Sequence, residues 1–322
     1  MLISYKNNAW LPLSLLVASS FMLTSPVAVA NNYAVAATFS ADGNPHFPSV
    51  NTYTKRLYVS DVRAGTVTMF KAQDGTKLAE TPTGAGAHTV AVDENANKVY
   101  VTNRGANTVS VLDGVTNAKI TDIPVGLAPH GLDIDAASGR VFVSNTGSND
   151  VSIIDINTYQ VIKTIPVGIE PWGVAYDRKN KWIYTVNTYE GTVSRIDPVT
   201  GITLAKIIVG GRPWNVKVSS RTGRVYASNE TTGELTVIAG DAVIASVAVG
   251  IATRGVVLDE EEKIAYVAAT GSNHVGVVNM ETNTLVAQVP VGAGPTAVGL
   301  DRRTHKVYVA NQGGGTISVI TE

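Results

Sequence analysis

The sequence predicts an all-β fold, a seven-bladed β-propeller of four-stranded antiparallel blades, and three observations carry that expectation. One phase recurs seven times, at His46, His88, His130, Trp172, Trp214, Arg254 and Thr296, with separations of 42, 42, 42, 42, 40 and 42 residues. Each full unit holds four short runs of alternating β-branched and aromatic residues between Gly, Asn and Asp turns, with no helical period. The last unit stops after its third run, and one unmatched run precedes the first.

The second unit shows the pattern most plainly. Its runs are residues 88–93 (HTVAVD), 98–103 (KVYVTN), 108–112 (TVSVL) and 119–125. A single four-stranded sheet cannot bury both of its faces, so units of this kind stack around a ring. The seventh unit ends at Ile317-Ser-Val-Ile320, and residues 33–40 supply the missing fourth strand. Pairing the two removes an open sheet edge. The fifth unit is two residues short in its last hairpin, near Gly240, which leaves the number of blades at seven.

The second run carries a tetrad, Tyr100-Val-Thr-Asn103. It is echoed by Phe142-Val-Ser-Asn145, Tyr184-Thr-Val-Asn187, Tyr226-Ala-Ser-Asn229 and Tyr308-Val-Ala-Asn311. Residues 33–322 thereby resemble the bacterial YVTN β-propeller repeat family. Two units depart from the tetrad, with Tyr58-Val-Ser-Asp61 and Tyr266-Val-Ala-Ala269. The resemblance implies the propeller fold and an envelope or surface location; it names no ligand, because propellers host unrelated functions.

Lys6, an apolar stretch from Trp10 to Leu23 and the small residues Ala28-Val29-Ala30 read as a cleaved secretory signal over residues 1–30, with the propeller occupying 31–322. The expected location is periplasmic or secreted, with no membrane span after cleavage. The chain has no cysteine, which excludes disulfides, thiolate metal sites and cysteine nucleophiles. The leader contributes one Lys and no acid, so 25 − 1 = 24 basic residues stand against 26 acidic, a net charge of −2 with His neutral. That balance gives no electrostatic case for duplex nucleic acid. A monomer is expected.

In a propeller the first strand of each blade is innermost, so the seven phase-aligned residues are expected to ring one mouth of the central channel. His46, His88, His130, Trp172, Trp214, Arg254 and Thr296 are therefore the candidate ligand-binding residues. Three of the five histidines share this phase on consecutive blades. They read either as a metal site for zinc or copper, three neutral imidazoles with one open position, or as polar channel residues bonded to water and loop carbonyls. Trp172 and Trp214 read either as a stacking platform or as a plug packed on neighbouring blades. Arg254 offers a fixed cation for a carboxylate or phosphate, and Tyr189, Arg104, Glu230 and His274 form an expected outer rim.

The Asn series of the tetrad reads as structural. The repeated acids Asp93, Asp135, Asp177, Asp259 and Asp301, with Asp113, Asp155 and Asp197, read as turn formers. No nucleophile elbow, zincin helix, phosphate loop or dinucleotide fingerprint occurs. The favoured function is an exported binding module that recognises a small molecule or an envelope or extracellular protein at this mouth. The alternative is a lyase or lactone hydrolase built from a channel His as general base with Arg254 stabilising negative charge, with or without a metal. Single-stranded nucleic-acid binding ranks third, since only Arg212 and Arg254 accompany the two Trp.

Overall fold

The computed structural model describes residues 32–322, and the expected signal peptide lies outside the described residues. Among the described residues, twenty-eight strands form seven antiparallel four-stranded sheets, the blades. Their innermost strands are Pro45–Asn51, Ala87–Asp93, Pro129–Asp135, Pro171–Asp177, Pro213–Val218, Thr253–Asp259 and Pro295–Asp301, for blades 1 to 7 in turn. These strands contact one another around the ring, blade 7 closing on blade 1. Among the described residues no helix is long and apolar enough to cross a membrane.

Closure follows the expected scheme. Ala34–Ser40 pairs antiparallel with Thr316–Thr321, Thr38 opposite Ser318, and completes blade 7 from the other end of the chain. Phe39 of this strand leans on Phe70 of blade 1 with ring centroids 5.6 Å apart. It also covers Gly75 so closely that a Cβ there would sit 2.3 Å from the ring. In the shortened blade 5, Ala239 pairs with Ala242 across a two-residue turn, and Gly240 takes the positive φ of 60° that the turn needs.

Burial grades outward. The second strand of blade 2, Lys98–Asn103, is buried at every position after the first, whereas the outermost strand of blade 6, Thr284–Pro290, alternates between exposed and half-buried apart from the buried Val289. The tetrad explains part of this. Its aromatic residue lies between blades: Tyr58 donates to the Gly114 carbonyl at 2.6 Å and Tyr308 to the Ala72 carbonyl at 2.7 Å. A buried phenol with its hydrogen bond made can be accommodated in an apolar seam.

The third tetrad position does more. Thr102 Oγ1 accepts the Thr89 N–H at 3.0 Å and donates to the His130 carbonyl of the next blade at 2.9 Å. Ser60 does the same between Phe47 N–H and the His88 carbonyl, and Ser144 between Gly131 N–H and the Trp172 carbonyl. Ser228 takes the Asn215 N–H and donates to the Arg254 carbonyl. The register of each inner strand shifts at this point, for instance between Ala87 and Val90, which frees the backbone groups the hydroxyls satisfy.

The fourth position locks the following hairpin. Asn103 Nδ2 donates to Thr108 and Ser110, and Asn145, Asn187 and Asn311 make the equivalent pairs of bonds. The Asn series is structural, as expected: four of its amides reach across to the third strand, while Asn229 caps its own turn, its Oδ1 accepting the Thr231 and Thr232 N–H groups and its Nδ2 donating to the Gly210 carbonyl.

Candidate functional site

The seven phase-aligned residues open the inner strands at one mouth of the channel. A residue with positive φ two places earlier turns the chain inward, Ala128 at 50°, Glu170 at 53° and Ala252 at 55°. Pro129 and Pro171 then fix the entry of the third and fourth inner strands.

Five of the seven form one packed layer. The His46 and His88 ring centroids are 3.9 Å apart, those of His88 and His130 are 3.8 Å apart, and His130 stacks on Trp172 at 4.8 Å. Trp214 comes from blade 5 yet lies within 6.4 Å of all three imidazoles and edge-on to Trp172 at 6.0 Å. It therefore reaches across the channel. Phe47 and Ala297 pack against it from below the ring. Of the two readings of the tryptophans, the geometry favours the plug for Trp214, which is buried, whereas Trp172 is half-buried and carries the Arg212 guanidinium 5.7 Å above its ring.

The imidazoles are buried beneath this plug, and burial holds all three toward the neutral form. His46 is lowered to about 3, with the Arg254 charge adding to the effect of desolvation. His88 and His130 are lowered well below the ordinary value, chiefly by desolvation and then by neighbouring charge; a hydrogen bond to the Trp172 backbone acts in the opposite direction on His130. The rings meet face over tilted face, at 49° and 44°. Among the described residues no group of three or more His, Cys, Asp or Glu is placed to hold a metal ion. The zinc or copper reading of His46, His88 and His130 thus finds no ligand cluster. A channel His acting on substrate would first need the layer to open.

The other two positions behave differently. Arg254 is half-buried, and both its Nε and Nη2 donate to Glu230 Oε1, at 3.0 and 2.6 Å, so its charge is already paired. Thr296 corrects the expectation of a channel-facing ligand. It is fully buried, and its hydroxyl donates to the His46 carbonyl at 3.0 Å. Its own blade has Ala310 at the third tetrad position, so Thr296 supplies from the inner strand the bridge that Ser60, Thr102, Ser144 and Ser228 supply elsewhere.

The expected rim is in place in part. Tyr189 and Arg104 are exposed around this mouth, Glu230 is bound to Arg254, and His274 Nε2 lies 2.9 Å from the Val249 carbonyl. At the opposite end the repeated acids cap turns, as Asp93 does for the Asn95 and Ala96 N–H groups and Asp177 for Lys179 and Asn180. Asp135 departs from its column: its Oδ1 lies 3.6 Å from Arg178 Nε, and its Oδ2 is buried without a partner.

One feature of this mouth escaped sequence reasoning. Leu127, Ile169 and Ile251 each stand three residues before a ring position, at the tips of the loops between blades, and are 56%, 45% and 69% exposed. Their carbonyls accept the N–H groups of Gly147, Tyr189 and Gly271, which fixes the tips against the neighbouring loops. The same column holds Ala85 and Ala293, so the signal was available in the repeat alignment as a change from small to large apolar residues on three blades.

Comparison with known proteins agrees with this architecture. The family model for YNCE-like β-propellers matches residues 57–181. No curated protein matches the chain. Among solved structures, hydrazine synthase from Kuenenia stuttgartiensis is similar in fold, with a TM-score of 0.79 and 21% identity over 87% of this chain and 96% of that one.

Proposed function

We propose that this seven-bladed β-propeller, whose residues 57–181 match the YNCE-like β-propeller family model, is an exported binding module of the bacterial YVTN type, periplasmic or secreted, that docks a protein partner on its aromatic mouth. Export rests on the signal-like pattern of residues 1–30. The observation that carries the docking reading is the set of exposed apolar side chains, Leu127, Ile169, Ile251 and Tyr189, held at fixed positions around a closed aromatic layer. Rigid apolar side chains exposed together on one face mark protein contact surfaces. The packed layer beneath them, Trp214 over the three imidazoles, leaves a floor rather than a deep pocket, which favours a protein over a small molecule.

Of the candidate ligand residues, Trp172 and Arg254 reach the surface and are assigned to partner contact. His46, His88, His130 and Trp214 support the floor. The test is a photo-crosslinking amino acid at position 169 in the full exported chain, compared with one at Val199, which is 83% exposed in a hairpin at the other end. The reading expects a discrete protein adduct from position 169 that is lost on Leu127→Asp, and none from position 199. Equal labelling at both positions, or none at either, contradicts it.

A further inference from the structure

Three residues beyond each member of the aromatic ring, a second ring faces the channel: Ser49, Ala91, Asp133, Ala175, Lys217 and Val257, with Gly299 on blade 7. These positions line a cavity of about 800 Å³ that opens at the mouth opposite the aromatic layer. Phe47 belongs both to its wall and to the cluster around Trp214, so the layer separates the two mouths. Five of the seven positions hold small or aliphatic side chains or none. That leaves free volume in front of the two charged ones.

The charges are unequally satisfied. Asp133 accepts the Tyr176 N–H at 2.8 Å and the Ile134 N–H at 3.0 Å, and Arg178 Nη2 lies 3.6 Å away. Arg178 is held in addition by Asp135 and by the Ile134 carbonyl. Of the acids nearer the rim, Asp93 caps its turn, Glu94 Oε1 accepts the Thr52 N–H, and Asp259 bonds His305. Lys217, half-buried in the wall, has no hydrogen bond or ion pair among the described residues, and its ammonium is lowered chiefly by desolvation against the raising effect of Asp133. An ammonium half-buried without a hydrogen bond or a close ion pair is costly, Asp133 offsetting the cost only in part, and an anion brought to it recovers more of it.

We propose that this cavity binds a small monocarboxylate with an apolar body, its carboxylate paired with Lys217 and its body against the wall formed by Ala91, Ala175 and Val257. The volume is that of a small-molecule site. Of the four cations in the lining, Arg178 is paired with Asp133 and Asp135, Arg221 donates to the Glu260 carbonyl and Arg302 is exposed, which leaves Lys217 as the half-buried cation for one carboxylate, while the acids toward the rim oppose polyanions. This site is independent of the partner face on the aromatic mouth.

The test is calorimetric titration of the full mature chain with benzoate, with benzamide and inorganic phosphate as separate probes. The proposal expects saturable benzoate binding, no saturable binding of benzamide or phosphate, and at least a tenfold loss of benzoate affinity in Lys217→Met, with roughly a tenfold step corresponding to one charged hydrogen bond. Circular dichroism establishes that the variant is folded; if it is not, the comparison of benzoate with benzamide on the wild-type chain decides alone. Ile169→Asp leaves benzoate binding unchanged. Absence of saturable benzoate binding, equal binding of benzamide, binding of phosphate in its place, or unchanged affinity in a folded Lys217→Met chain overturns the proposal.

Discussion

The Thr102 hydroxyl of blade 2 donates to the His130 carbonyl of blade 3 at 2.9 Å, while accepting the Thr89 N–H of its own blade. One side chain thus satisfies the backbone group freed by the register shift, holds the seam between two blades and fixes the carbonyl of a ring residue. The hydroxyl of the repeated tetrad is in this way tied to the placement of the aromatic layer.

Replacing Thr102 by Val keeps the shape and removes the hydroxyl, leaving a buried N–H and a buried carbonyl without their partner. The expected loss is about 1–3 kcal/mol of stability, read from chemical denaturation. Val186 already occupies this position in blade 4, and Val186→Ala is expected to show only the smaller effect of a lost apolar contact.

Trp214 is 3% exposed and contacts all three imidazoles from the far side of the channel. Trp214→Ala is expected to cost about 3–5 kcal/mol through lost burial and the void left behind. It is also expected to uncover the histidines. Modification by diethyl pyrocarbonate, confined in the wild-type chain to the partly exposed His274 and His305, then extends to His46, His88 and His130 in a variant that remains folded.

The layer makes stability depend on pH in a defined direction. His46, His88 and His130 titrate lower in the folded chain than in the unfolded one, whose imidazoles titrate near about 6.5. Above that value both states are neutral and the contribution is flat. As pH falls below it the unfolded chain takes up protons that the folded chain refuses, and stability declines, for His46 down to about 3. Each such imidazole adds a slope of up to about 1.4 kcal/mol per pH unit. His305, raised by its bond to Asp259, acts the other way: its contribution is present at low pH and lost as pH rises through its raised value. His88→Phe keeps a ring in the stack and is expected to flatten the decline, measured as denaturation midpoints across the acidic range.

The ring of seven blades, its closure by residues 33–40 and the short hairpin of blade 5 were all legible in the sequence, because a repeat of fixed period constrains every unit at once. The candidate ring was legible as a column. What each member does in it was not. Thr296 faces the His46 carbonyl because Ala310 left a bridge unfilled, and Trp214 crosses the channel because the imidazoles opposite are smaller than an indole; both depend on pairs of residues far apart in the chain. Lys217 and Asp133 were not legible as a site because, taken one at a time, each reads as an ordinary polar residue in a strand. Only the column of Ser49, Ala91, Ala175, Val257 and Gly299 beside them shows that they are the two charged members of that ring.

The closed aromatic mouth is tested most directly by following the imidazole proton resonances of the five histidines through a pH titration of the folded chain. A closed, dry layer predicts that the signals of His46, His88 and His130 stay at neutral-imidazole positions from alkaline pH down to mild acid, while His305 titrates above the ordinary value. If any of the three titrates near about 6.5 as a solvated imidazole does, the layer is open to water, and a ligand or catalytic role for the channel histidines replaces the docking floor.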